Sequence, residues 1–321
     1  TKVEVRVDGR LTKTYEGTLP RELDVHPPTE LHGQQVRVTI RAYDAAGNHG
    51  ERGTTVKVDV LSPEAVTLTP KFGTALRGVA TIKATNVSAD TARLQLVDWD
   101  GKVVATSTAA PWTMTFDTRG LDGDQWLMLH NYDRADNVSF DSGTYRADNA
   151  GPAVGSITPA NRALVRGSVR TTIKATDPSG IKSARVTGGT ATSSPLTWTV
   201  TPKAQGAYTI VWTVTDKLGN TTVARRVVVN DTVAPAVAFA KAPKNNTKLT
   251  KKTTLTASSS DKNGVAKVQL LVNGKVAATD AKAGYSFTLD PKKYGKTFTV
   301  QLRAYDKAGN SKTIAKRTYR R

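Results

Sequence analysis

An octapeptide written twice, RAYDAAGN at residues 41–48 and RAYDKAGN at 303–310, constrains this chain more than any other feature. Weaker copies, NYDRADN at 131–137 and VTDKLGN at 214–220, align with it on a central aspartate. The four residues are Asp44, Asp133, Asp216 and Asp306, spaced 89, 83 and 90 residues apart. A period near ninety belongs to a repeated domain, since solenoid units are about half that length. Each copy ends an alternating stretch, such as VRVTIRAYD (36–44) or FTVQLRAYD (298–306), and each precedes a second one, such as TTVKVDV (54–60) or TTVARRVVV (221–229). The D-x-x-G-N between them reads as a hairpin loop. Aspartate accepts from backbone N–H groups just downstream, glycine takes the left-handed conformation, and asparagine leads into the return strand. In the second copy Asp136 replaces the glycine, at a cost of about 1 kcal/mol of left-handed strain.

The fourth copy closes a run of segments PAVAFAKAP (235–243), KTTLTASSSDKNG (252–264), VAKVQLLVNGKVAATD (265–280) and YSFTLDP (285–291). About seven short strands in roughly ninety residues is the pattern of an immunoglobulin-like sandwich. Through its D-x-x-G-N hairpins and the linker DTVAP (231–235), the chain resembles bacterial immunoglobulin-like domains of exported and cell-surface proteins. That resemblance implies an all-β chain of tandem immunoglobulin-like β-sandwiches in an elongated array. It also implies a spacer or adhesion role outside the cell. Expected boundaries are a partial domain at 1–60 and complete ones at 61–150, 151–231 and 232–321. With no cysteine in the chain, the cystine of antibody domains is ruled out. The same absence is in keeping with a secreted or surface protein of a Gram-positive, actinobacterial-type bacterium, and no apolar run is long enough to span a membrane.

Laying TKVEVRVDG (1–9) on AKVQLLVNG (266–274) shows the first domain without its first two strands. Such a sheet is either a piece of a longer chain or is completed by a protein partner's strand through β-augmentation. The corresponding alternatives for the whole chain are the accessory tail of a larger secreted hydrolase and a subunit of an extracellular assembly.

Charge is uneven. Residues 232–321 hold 19 Lys and Arg against four Asp, whereas 61–150 hold eight against eleven Asp and Glu. A field of that size draws in polyanions and is screened by salt. The terminal domain is mostly lysine and has its Tyr and Phe largely at strand positions that face a core, whereas a nucleic-acid groove prefers arginine with interleaved aromatics, which argues against nucleic acid. An anionic cell-wall polymer or glycan is the expected partner, contacted by Lys251, Lys252, Lys292, Lys293, Lys296, Arg320 and Arg321.

Catalytic patterns are missing. His26, His32, His49 and His130 keep no repeated position and form no H-x-x-x-H or nucleophile pattern, so no enzyme activity is expected. No cofactor is expected either, with calcium as the one candidate. Linker and loop aspartates would converge as Asp148, Asp177 and Asp216, and again as Asp231, Asp261 and Asp306, offering hard oxygen ligands. Local turn capping explains each of them equally well. Of the tryptophans, Trp126, Trp198 and Trp212 lie in alternating strands and read as core, and Trp99 reads as exposed.

Overall fold

The computed structural model describes residues 2–192 and 195–321, and it divides into two compact units, Thr1–Asn149 and Ala150–Arg321. Almost every element is a strand. Two 3-10 turns, Thr29–Leu31 and Pro291–Lys293, are the helical segments among the described residues.

The first unit opens with one four-stranded antiparallel sheet in the order Arg10–Glu16, Lys2–Val7, Gln35–Tyr43, His49–Lys57. Alternation puts Val3, Val5 and Val7 on one face, each no more than 4% exposed. No second sheet lies over that face among the described residues of this segment. The connection 17–34 takes part of its place, with Val25 and Leu31 packing against Val7, Val36 and Val58. That apolar face is therefore largely covered, although Ile40 and Val56 on it are each 40% exposed.

Next comes a sandwich. A three-stranded sheet (Thr113–Asp117, Val79–Thr85, Thr67–Thr69) faces a five-stranded one (Ala75–Leu76, Val138–Ala147, Gly123–Asp133, Thr91–Asp98, Val103–Ser107). Their inner faces meet through Ile82, Leu94, Leu96, Met114, Leu127 and Leu129. The Tyr145 hydroxyl donates to the Pro70 carbonyl at 2.6 Å, and burial pushes its pKa up to about 12.

The second unit repeats the pattern twice. Its first sandwich packs Trp212, Ile210, Val214 and Ile173 at 0 to 1% exposure, and the Trp212 indole N–H donates to Thr171 Oγ1 at 3.3 Å. A buried tryptophan brings a large apolar area and needs one polar partner, and here it has both. In its second sandwich Thr297–Asp306 is the central strand, pairing with Val265–Val272 on one side and with Ser311–Thr313 and Arg317–Arg320 on the other. Phe298, Val300 and Leu302 point inward with Leu255, Phe287 and Tyr319.

Candidate functional site

The recurrent turn has the same chemistry in every copy. In the first, Asp44 Oδ1 accepts from the N–H groups of Ala46 and Asn48, both at 2.9 Å, while Asn48 Nδ2 donates to Asp44 Oδ2 at 3.1 Å. The asparagine side chain closes the loop, a contact the sequence pattern alone did not indicate. Asp133 and Asn137, Asp216 and Asn220, and Asp306 and Asn310 repeat that closure at 2.7 to 2.8 Å. Gly47, Gly219 and Gly309 have φ near +90°, and Asp136 takes the equivalent place at +64°. Its carboxylate forms an ion pair with Arg93 at 2.8 Å. The device is a turn, and its recurrence marks strand pairs.

Acidic groups gather beside these turns. In the second unit, carboxylate oxygens of Asp231, Asp261 and Asp306 lie within 4.8 Å of one another. All three have local partners as well: Val233 N and Asn263 Nδ2 donate to Asp231, Asn263 N to Asp261, and Asn310 to Asp306. Asp177 accepts from Ser179, and the fully buried Asp216 accepts from Asn220. Asp148 is buried in the first unit, its backbone N–H bonded to the Leu76 carbonyl.

The first unit holds another trio, Asp59, Asp90 and Asp133, also within 4.8 Å. Asp90 escaped the repeat alignment for a definite reason. Where KATDPSG (174–180) has Asp177, KATNVSAD (83–90) has Asn86, and the carboxylate arrives four residues later as Asp90. Asp90 Oδ1 is buried without a hydrogen-bond partner. Three hard oxygen donors with one buried orphan among them match what a divalent cation such as calcium takes.

The expected anion-binding residues are drawn from three stretches far apart in sequence, and strand pairing carries them to one end of the last sandwich. The Arg321 N–H donates to the Lys296 carbonyl at 2.9 Å, and its guanidinium donates to the Lys292 carbonyl at 3.3 Å. Arg320 bridges to Lys248. Lys251 and Lys252 precede Thr253, which pairs with Leu289 just before Asp290 and the Pro291–Lys293 turn. Lys251, Lys252, Lys292, Lys293, Lys296, Arg320 and Arg321 are all exposed. Asp290 is the nearby carboxylate, and it caps the turn by accepting from Lys292 N at 3.0 Å. Among the described residues of 232–321, no basic side chain is in an ion pair.

Trp212 is core as expected, and Trp198 is half-buried against the same core. Trp126 corrects its expectation. It lies on the outer face of its sheet against Trp99, which is 78% exposed as anticipated. The neighbouring Leu127 and Leu129 fill the interior in its stead. His26, His32 and His49 are exposed, and His130 lies on the same outer face as Trp126.

Sheet order, paired layers and repeated hairpins define a chain of successive immunoglobulin-like sandwiches. Residues 235–312 match the family model described as a bacterial Ig domain, and residues 107–232 match that of a bacterial Ig-like domain. The chain therefore contains bacterial immunoglobulin-like domains, the second match running from within one sandwich through the whole of the next. No curated protein matches the chain. Solved structures similar in fold include fibronectin(III)-like modules of Clostridium thermocellum CbhA, at 19% identity and TM-score 0.39, covering 53% of this chain and 93% of theirs. A tetra-tandem repeat in the extending region of a large adhesion protein is 19% identical at TM-score 0.33, covering 99% and 90%. A solved chain from work on the host cell surface retention of a 1.5-MDa bacterial ice-binding adhesin is 16% identical at TM-score 0.33, covering 80% of this chain and 96% of that one. No helix is long and apolar enough to cross a membrane among the described residues.

Proposed function

We propose that the chain is a non-catalytic module of a secreted or surface-attached protein, and that its terminal sandwich holds an anionic wall polymer or glycan at its basic end. The observation that carries this reading is the convergence of cations from residues 248–252, 292–296 and 320–321, none of them in an ion pair, around a single capping carboxylate. Lysines on loops keep their hydration and rotamer freedom, so they form a diffuse field suited to a flexible polymer of repeated charges. A planar bidentate site would use arginine instead. The contact should weaken steeply as salt rises.

The test is co-sedimentation with isolated Gram-positive cell walls at low and high salt. The unchanged chain is compared with a variant carrying Lys251→Gln, Lys252→Gln, Lys292→Gln, Lys293→Gln and Lys296→Gln. Sedimentation that is released by salt and lost in the variant is the expected result. Sedimentation indifferent to both changes, or none by the unchanged chain at low salt, rejects the reading.

A calcium role is favoured by one observation, the buried unpartnered Oδ1 of Asp90 beside Asp59 and Asp133. These three residues would hold the ion, and it would tie the segment at Asp59 to two loops of the following sandwich.

A further inference from the structure

The outer face of the five-stranded sheet in residues 67–147 is unlike its counterparts. Along Gly123–Asp133 the inward positions are Leu127, Leu129, Asn131 and Asp133, so Trp126, Met128, His130 and Tyr132 all stand on the opposite face. Phe140, directly across from His130 on the neighbouring strand, is 61% exposed, and the two rings meet edge to face at 5.0 Å. The imidazole is fixed on both sides, Nδ1 lying 3.0 Å from the Tyr132 hydroxyl and Nε2 3.0 Å from Met128 Sδ. At the far end Trp99 stands edge-on to Trp126, with centroids 5.2 Å apart and planes at 78°. The turn that presents it is held by Asp98 Oδ1, which accepts from Asp100 N and Lys102 N. From Trp126 to Tyr132 the strip runs about 20 Å at the ordinary rise of a strand.

The scaffold does not demand these side chains. Counting back from the shared aspartate, the positions of Trp126, Met128 and His130 are filled by Arg37, Thr39 and Arg41 in the first sheet. They are Thr209, Val211 and Thr213 in the third copy, and Thr299, Gln301 and Arg303 in the fourth. Three copies build the same strand with polar or β-branched residues there. Half-buried Trp126, Met128, His130 and Tyr132, edged by the exposed Trp99 and Phe140, form a partly solvent-facing aromatic surface, and such patches mark binding sites.

We propose that this strip binds an uncharged polysaccharide of equatorially substituted pyranose rings. Such rings are apolar on both faces, where axial C–H bonds point, and polar around the rim. Aromatic rings carry negative potential on their faces and attract those C–H dipoles. Uncharged hydrogen-bonding groups lie beside the strip on both neighbouring strands, and at its Tyr132 end the Arg93 guanidinium stacks over the tyrosine ring at 3.8 Å while pairing with Asp136. Gln95 pairs with His130, Ser142 with Met128 and Thr144 with Trp126. Charge sorts the sugars: with eight basic against eleven acidic residues in 61–150, this sandwich repels an anionic polymer and leaves the neutral class. The site is separate from the basic end of the last sandwich and does not depend on it.

The full chain is tested for retention on insoluble cellulose and chitin and titrated with cellohexaose and chitohexaose, with tryptophan fluorescence as the readout. Binding to at least one of these, unchanged between low and high salt, is expected. Trp99→Ala and Phe140→Ala should each weaken it at least about tenfold, the scale of an aromatic anchor. Both side chains are exposed, so these variants keep the fold, which far-UV circular dichroism verifies. The five-lysine variant above should bind these glycans normally, which separates this site from the basic end. Absence of binding to all four probes, or equal binding by Trp99→Ala and the unchanged chain, overturns the proposal. A self-association in sedimentation velocity that Trp99→Ala abolishes, with no glycan binding, overturns it in favour of a second copy of the chain.

Discussion

Asn310 joins two sandwiches through one amide. Its Nδ2 donates at 2.8 Å to Asp306 Oδ2 in its own turn and at 2.8 Å to the backbone carbonyl of Asp231, where the preceding sandwich ends. Asn137 does the same in the first unit, reaching Asp133 Oδ2 at 2.7 Å and the Asp59 carbonyl at 3.2 Å. A motif that is local in sequence thus clamps these two sandwiches to the segments before them. Asn310 is 4% exposed, so losing its amide strands two buried acceptors. Asn310→Ala should destabilise the terminal sandwich by about 1–3 kcal/mol. Asn48→Ala, in an exposed copy of the turn, should cost within about 0.5 kcal/mol. Urea unfolding of the two variants, followed transition by transition, checks the contrast.

Gly189 leaves room for an indole. A Cβ there would lie 2.0 Å from Trp198 Cζ2 and 2.2 Å from Cε2. Gly189→Ala must push Trp198 off the core it half covers, at a cost of about 1–3 kcal/mol. A red shift in tryptophan emission together with a lower Tm is the expected signature.

Glu4 ties together the polar face of the first sheet. Its carboxylate lies 2.8 Å from both Lys2 Nζ and an Arg6 guanidinium nitrogen, and the Tyr43 hydroxyl donates to it at 3.0 Å. Lys2 first, then Arg6, hold its pKa down at about 2. A carboxyl depressed in the folded state contributes stability above its unfolded value near 4.5, and that contribution fades as pH falls towards 2. The Tm difference between the unchanged chain and Glu4→Gln should therefore be present at pH 7 and vanish by about pH 2.

Calcium should raise the melting temperature of the first unit relative to chelator. At a hundredfold excess over Kd the gain is about 2.7 kcal/mol, or several degrees. Asp90→Asn should abolish the rise contributed by its trio. Identical scans with calcium and with chelator would remove the ion from the account.

Much of the architecture was legible because its signals are local. The D-x-x-G-N turn is complete within five residues, as the Asp44 and Asn48 contacts show, and period-two alternation needs only neighbouring positions. Sites were harder to read. Asp90 was hidden by a four-residue displacement from the place of Asp177. The lysines at 251–252, 292–293 and 296 lie far apart in sequence, and it takes the pairing of Thr253 with Leu289, and of Arg321 with Lys296, to set them at one end.

By itself, then, the sequence determined that these are β-sandwiches, how many hairpin turns recur, and that Trp126, Met128, His130 and Tyr132 share one face of a strand while Leu127 and Leu129 share the other. It did not determine which face is buried, since both carry large apolar side chains. That was decided by tertiary structure. Leu129 pairs with Leu96 across the sheet and lies over Ile82 and Met114 of the facing one, and these contacts between distant segments turn the leucines inward and leave the aromatic strip to solvent.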